Sequence, residues 1–160
     1  MLLLNANMCF AMSSNRAKLM NGSNFNGYAS FNIVGYDASN CHYGSTNGYN
    51  AGHVIVGGGD TPVTKEDYDM ADTSILGNDK LRSIKQTATY NGSNGAVLTT
   101  SWRNDSASPI TVKEIGAAYK VNAMAYDKAY NILLARKVLD SPVTIQPGET
   151  YVFSYNFKIA

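Results

Sequence analysis

The chain has 160 residues, enough for one domain with a real core and an added arm, and too few for several. Its net charge is +1 with lysines and arginines scattered, which removes the electrostatic basis for gripping nucleic acid. Charged residues make up only 16%, and Asn, Ser, Thr, Gly and 11 tyrosines stand in their place. Such a neutral, ring-rich surface favours lasting contact with other subunits, although an ordinary low-charge β-protein has the same composition.

The opening MLLLNANMCFAM has no basic segment before its apolar run, and Asn5 and Asn7 interrupt it. It reads as a buried strand or a packing arm rather than a targeting segment, and no stretch is long and apolar enough for a transmembrane helix. Cys9 and Cys41 are expected as reduced thiols behaving as small hydrophobes, with a Cys9–Cys41 bridge as the alternative. Asn21–Asn50 is crowded with Asn, Gly, Ser and Tyr, implying long loops around a strand within Tyr28–Val34. A further strand, His53–Val56, ends at Gly57-Gly58-Gly59-Asp60. That run is a turn and not a phosphate loop, because no Gly-Lys-Ser/Thr follows it. Thr64 followed by Asp67 is close to a capping box and predicts one short helical turn over Lys65–Met70.

From Leu81 onward the chain reads as strands. Arg82–Tyr90 and Ala96–Arg103 flank Asn91-Gly92-Ser93-Asn94-Gly95, a hairpin signal, and Ala96, Leu98, Thr100 and Trp102 share one face. Ile110–Tyr119 follows a turn at Ser106–Pro109. Its apolar phase changes, which predicts a bulge near Lys113-Glu114 or a bend at Gly116. Tyr119–Tyr130 reads as a loop, then Ile132–Leu139 and Val143–Ile145 as strands. Gln146-Pro147-Gly148-Glu149 fits a type II turn, with glycine where φ must be positive. Tyr151, Phe153, Tyr155, Phe157 and Ile159 then alternate with Val152, Ser154, Asn156 and Lys158, a half-buried strand at an antiparallel edge. The expected fold is all-β, an antiparallel β-sandwich (jelly-roll or Ig-like) with one short helical turn and an N-terminal arm or long loops. Residues 1–56 would form the arm and first strands, and 57–160 the sandwich body. Trp102, Ile110, Val112, Leu134, Phe153, Tyr155 and Phe157 are its expected core.

Catalytic chemistry finds little support. Cys41 and His42 are neighbours and point to opposite faces of a strand, so only Cys41 with His53 and an unnamed acid could form a nucleophilic site. No Cys-x₂-Cys or His-x₃-His spacing suggests zinc. Asp60, Glu66, Asp67, Asp69 and Asp72 are dense enough to consider calcium but do not match an EF-hand loop. No catalytic residue, metal or cofactor is expected. Tyr36, Tyr43 and Tyr49, interleaved with Asn40, Asn47 and Asn50, could stack on and hydrogen-bond a sugar, or build a protein interface.

Several blocks carry a resemblance. They are Gly57-x-Gly59, Thr61-Pro62, Asp67-Tyr68, Pro109-Ile110-Thr111-Val112-Lys113-Glu114-Ile115-Gly116, Leu133-Leu134-Ala135-Arg136-x-Val138-Leu139 and Pro142-Val143-Thr144-Ile145-x-Pro147-Gly148-Glu149. In this order, over roughly Gly57–Ile159, the chain resembles a module of minor virion structural proteins of tailed bacteriophages, found in head, neck, tail or fibre. The resemblance implies a non-enzymatic virion component, assembled in the host bacterial cytoplasm, whose partners are other virion proteins and copies of itself. Leu2, Leu3, Leu4, Phe25, Tyr28, Tyr36, Tyr43 and Tyr49 are the expected interface. A carbohydrate-binding or host-adhesion module using the Tyr/Asn-rich loops is the alternative. Arg136 sits among apolar positions, where a cation needs a partner; Glu114 or Asp140 could provide one, or the side chain could reach water.

Overall fold

A computed structural model describes residues 8–10, 29–31, 52–64, 67–90, 95–123 and 128–158, with side chains described over 52–64, 67–89, 97–118 and 133–156. The strands are β1 (Met8–Phe10), β2 (Ala29–Phe31), β3 (Gly52–Gly57), β4 (Leu81–Tyr90), β5 (Gly95–Asn104), β6 (Ile110–Ala123), β7 (Lys128–Ile145) and β8 (Thr150–Lys158). β1 and β2 form an antiparallel pair with Cys9 opposite Ser30. The other six make two three-stranded antiparallel sheets, in the orders β4-β5-β8 and β3-β6-β7.

The sheets share one core, as the alternation of apolar residues requires. Val54, Val56, Val112, Ala117 and Ile145 come from one sheet, and Leu81, Leu98, Trp102 and Phe153 from the other. The fold is therefore all-β and sandwich-like. On β5 the inward face reads Leu98, Thr100, Trp102, Asn104, all fully buried. Its two polar members are each bonded. Thr100 Oγ1 accepts from the Val54 amide at 2.9 Å, and the Val54 carbonyl accepts from Trp102 Nε1 at 3.1 Å, so β5 closes the outer edge of β3.

Both β5-to-β6 and β7-to-β8 connections cross from one sheet to the other. The second is the Gln146–Glu149 turn, where the Gln146 carbonyl accepts from the Glu149 amide at 3.0 Å and Gly148 has φ 77°. That is the positive φ predicted for a type II turn. A Cβ at Gly148 would meet nothing within 4 Å, so Gly148→Ala adds backbone strain without a clash. Its expected cost is about 1 kcal/mol, or roughly 2–4 °C in the melting temperature, measured by circular dichroism.

Four expectations need correction. No helix occurs among the described residues: Asp67–Met70 is irregular, and Lys65 and Glu66 lie outside them. One bond of the capping box does form, the Thr64 amide donating to Asp67 Oδ2 at 3.0 Å, and Thr64 Oγ1 donates to Asp67 Oδ1 at 2.8 Å, yet these close a turn rather than open a helix. Tyr119–Tyr130 is not a loop throughout, because β6 runs to Ala123 and β7 begins at Lys128, with Val121 opposite Tyr130. Ile132–Leu139 and Val143–Ile145 belong to one strand, β7. The predicted bulge is present: Val112 opposes Val143 but Glu114 opposes Val138, so the register passes over Leu139–Pro142. A second shift, between Ala117 and Ala118, removes Leu134 from the core. Leu133 turns inward toward Ile55, Met70 and Ala118, while Leu134 is 39% exposed. Of the other expected core residues, Trp102, Val112 and Phe153 are buried, Ile110 and Tyr155 pack against the core, and the Phe157 side chain lies outside the described residues.

Candidate functional site

The densest arrangement of charge lies where β6 and β7 meet the segment 58–80 that joins β3 to β4. The bulge between Val112 and Glu114 reverses the phase of β6, so Ile115 and Ala117 join Val112 on the sandwich core while Glu114, Gly116 and Ala118 face the segment 58–80, which covers the carboxylate. The Glu114 side chain is 0% exposed and the Arg136 side chain 4%. Burial of charge on this scale demands both an opposite charge and hydrogen bonds.

Both are supplied. Arg136 Nη1 lies 3.0 Å from Asp67 Oδ2, Nη2 donates to the Thr61 carbonyl, and Nε lies 3.1 Å from Glu114 Oε2, an ionic contact without hydrogen-bond alignment. Glu114 Oε1 accepts from the Asp72 amide at 2.9 Å and Oε2 from the Ala71 amide at 3.2 Å. The Gly58 amide also donates to the Asp72 carbonyl, at 2.9 Å. The segment 58–80 is thus a strap held by two side chains of the sheet beneath it.

The glycine run has its explanation here. Gly57 is in register with Glu114. A Cβ on Gly57 would collide with Glu114 Oε1 and with the Asp72 carbonyl, and one on Gly59 would lie 2.9 Å from Oε1. Glycine is required so that the strap can close onto the buried carboxylate.

Four of the five acids considered for calcium are engaged elsewhere. Asp60 pairs with Lys113 at 3.0 Å, Asp67 with Arg136, Asp69 Oδ1 with the Met70 amide at 2.7 Å, and Asp72 Oδ1 with the Ser74 amide at 2.8 Å. Glu66 lies outside the described residues, and no three metal-ligating side chains gather among those described. His53 is buried on β3, while Cys41 and His42 lie outside the described residues, as do Leu2, Leu3, Leu4, Phe25, Tyr28, Tyr36, Tyr43 and Tyr49. A cleft of about 250 Å³ beside the cluster is lined by Val63, Thr64, Asp67, Leu133, Leu134, Ala135 and Arg136. Its charged groups are those already paired.

Several strap carboxyls are displaced from the ordinary range. The Thr64 amide and hydroxyl hold Asp67 low against an opposing effect of burial, with the Arg136 charge as the smallest contribution. Lys113 lowers Asp60, and the Ser74 hydroxyl and amide lower Asp72. Asp69 is raised, first by burial and secondarily by the Glu114 charge. A lowered carboxyl contributes stability present above its unfolded value, about 3.9, and lost as pH falls through the folded one; Asp69 acts with the opposite sign. Protonation of Asp60, Asp67 and Asp72 weakens their contacts with Lys113, Arg136, Thr64 and Ser74, so the strap is expected to loosen below about pH 4 before the sheets do. Hydrogen exchange corrected for intrinsic rates checks this: the Gly58, Ala71 and Asp72 amides should lose protection ahead of the Leu98 amide. Simultaneous loss at all four would contradict it.

The sequence singles out Arg136 and offers Glu114 or Asp140 as partner. The structure selects Glu114, and Asp140 lies 3.3 Å from Lys137 instead. It adds Asp67 and the Thr61 carbonyl, 75 positions away in sequence, for which no local signal exists. Compared with protein-family models, curated proteins and solved structures, the chain matches none.

Proposed function

We propose that the chain is a non-enzymatic structural component of a bacteriophage virion, working as a β-body that assembles through subunit contacts. One observation carries the reading. Residues from five blocks of the virion-module resemblance, at Gly57–Gly59 with Thr61, Asp67, Glu114 and Arg136, meet in a single cluster around the buried Glu114–Arg136 pair. Their polar groups bind one another and the backbone, so those blocks specify a rigid body with its strap, not a reactive centre. Among the described residues Val152, Val63, Tyr68, Tyr151 and Leu134 leave apolar surface exposed for contacts. The Tyr- and Asn-rich first fifty residues add further docking surface, toward other virion proteins and copies of this chain.

Quantitative proteomics of purified virions, paired with a glycan array, tests the proposal. Stoichiometric presence in the particle without glycan affinity is the expected result. Absence from particles, or glycan binding lost on Tyr43→Ala and Tyr49→Ala, would overturn it in favour of an adhesion module.

A further inference from the structure

Three of the four outer strands in the sandwich are guarded against pairing with another chain. On β3, the outward amide and carbonyl of Val54 are taken by Thr100 and Trp102. β4 exposes Arg82 and Lys85 and is bulged between Ser83 and Lys85. β7 is broken twice in register, carries Pro142, and exposes Lys137 and Asp140. Charge, proline and bulges are the means by which sheet edges avoid joining.

β8 has none of these before its last residue, Lys158. It pairs with β5 without a break from Thr150 to Lys158 and contains neither charge nor proline from Thr150 to Phe157. Among the described residues no strand lies on its outer side. On its solvent face Val152 is 52% exposed, and Ser154 and Asn156 are exposed as well.

The geometry points to this edge as the place where two copies of the chain join, β8 to β8, antiparallel across a two-fold axis. The strand that fits must be regular and uncharged, and among the described strands of the sandwich β8 alone is open, regular and neutral. An axis normal to the sheet at Ser154 sets Val152 opposite Asn156 twice and Thr150 opposite Lys158 twice. No like charges meet. The joined sheet has six strands with β4 at each end, where Arg82 and Lys85 prevent further addition, so a closed pair forms rather than a fibre.

This contact deepens the assembly reading, on which it rests for its purpose, but purified full-length chain tests it separately. Light scattering behind size exclusion should give a dimer. Val152→Lys with Asn156→Lys places lysines opposite each other at both positions and should give a monomer with unchanged circular dichroism. Val152→Glu with Asn156→Lys turns the same positions into opposite-charge pairs and should restore the dimer. A monomeric wild type at about 100 µM, roughly a hundredfold above a micromolar Kd, would overturn the contact, even for a chain found in particles. A dimer indifferent to the lysines would do the same. On the unmodified chain, β8 amides should lose exchange protection on dilution; protection that ignores dilution means the chain covers its own edge, which also overturns it.

Discussion

Asn104→Ala is expected to cost about 3 kcal/mol, lowering the melting temperature by roughly 6–12 °C. Asn104 is fully buried at the end of β5, and its side chain uses all its capacity. Nδ2 donates to the Ser108 carbonyl at 2.8 Å and the Ile145 carbonyl at 2.9 Å, while Oδ1 accepts from the Ser106 amide at 2.9 Å and hydroxyl at 2.7 Å. Its backbone adds bonds to the Glu149 carbonyl and from the Gly148 amide, at 2.9 and 2.8 Å. One residue therefore ties together two of the connections by which the chain changes sheets. Truncation leaves the buried Ile145 carbonyl without that donor, at about 1–3 kcal/mol, and removes the half-buried bonds to Ser106 and Ser108 as well.

Asn104→Asp refines the test. One oxygen keeps the Ser106 bonds, but the other faces two carbonyl oxygens and has no proton to give when ionised. The introduced carboxyl is held protonated in the fold, so its folded pKa lies above the unfolded value near 3.9. The penalty is then absent below that value and grows as pH rises through the window between the two. Measured against wild type at each pH, the variant should lose more stability at pH 7 than at pH 4. A pH-independent difference would mean that Asn104 acts by shape alone.

Much of the sandwich was legible because alternation is a direct record of burial. Phe153 and Tyr155 turn inward and Val152 and Ser154 outward, as a period of two demands. Tyr151 follows the same phase but lies at the strand end, 39% exposed, its ring centroid 4.8 Å from that of Phe153. Where alternation does not report a shared core, the reading fails. The far part of the β6-β7 hairpin mixes Lys120, Asn122 and Asn131 with apolar residues, and so resembles a loop. Leu133 and Leu134 are indistinguishable by type, and a bulge set by the partner strand decides which is buried. Thr64 and Asp67 make one bond of a helix start, but such a bond is local and compatible with a plain turn. Distant partners fix the course of the strap beyond that turn, since the Ala71 and Asp72 amides go to a carboxylate 43 and 42 positions away. The buried role of Asn104 has the same origin, because Asn-Asp-Ser reads in sequence as an exposed turn.

Arg136→Met should be the most damaging single change, at about 3–5 kcal/mol, because it leaves Glu114 buried with no cation beside it. The Ala71 and Asp72 amides still reach that carboxylate, but two dipoles do not replace a full charge in a site closed to water. The loss is expected to show first in the strap, with Gly58 and Asp72 amides exchanging freely while β4 and β5 remain protected. Glu114→Gln in the same chain removes the stranded charge and keeps one acceptor for the strap, so the double variant should be more stable than Arg136→Met alone. A positive coupling of at least about 1 kcal/mol in the double-mutant cycle, from denaturant unfolding, identifies the pair as a unit. Additive effects, or an Arg136→Met chain that melts with wild type, would show that the guanidinium is a spectator. The strap would then be held by backbone bonds and by Met70 against Ile55 and Ala118.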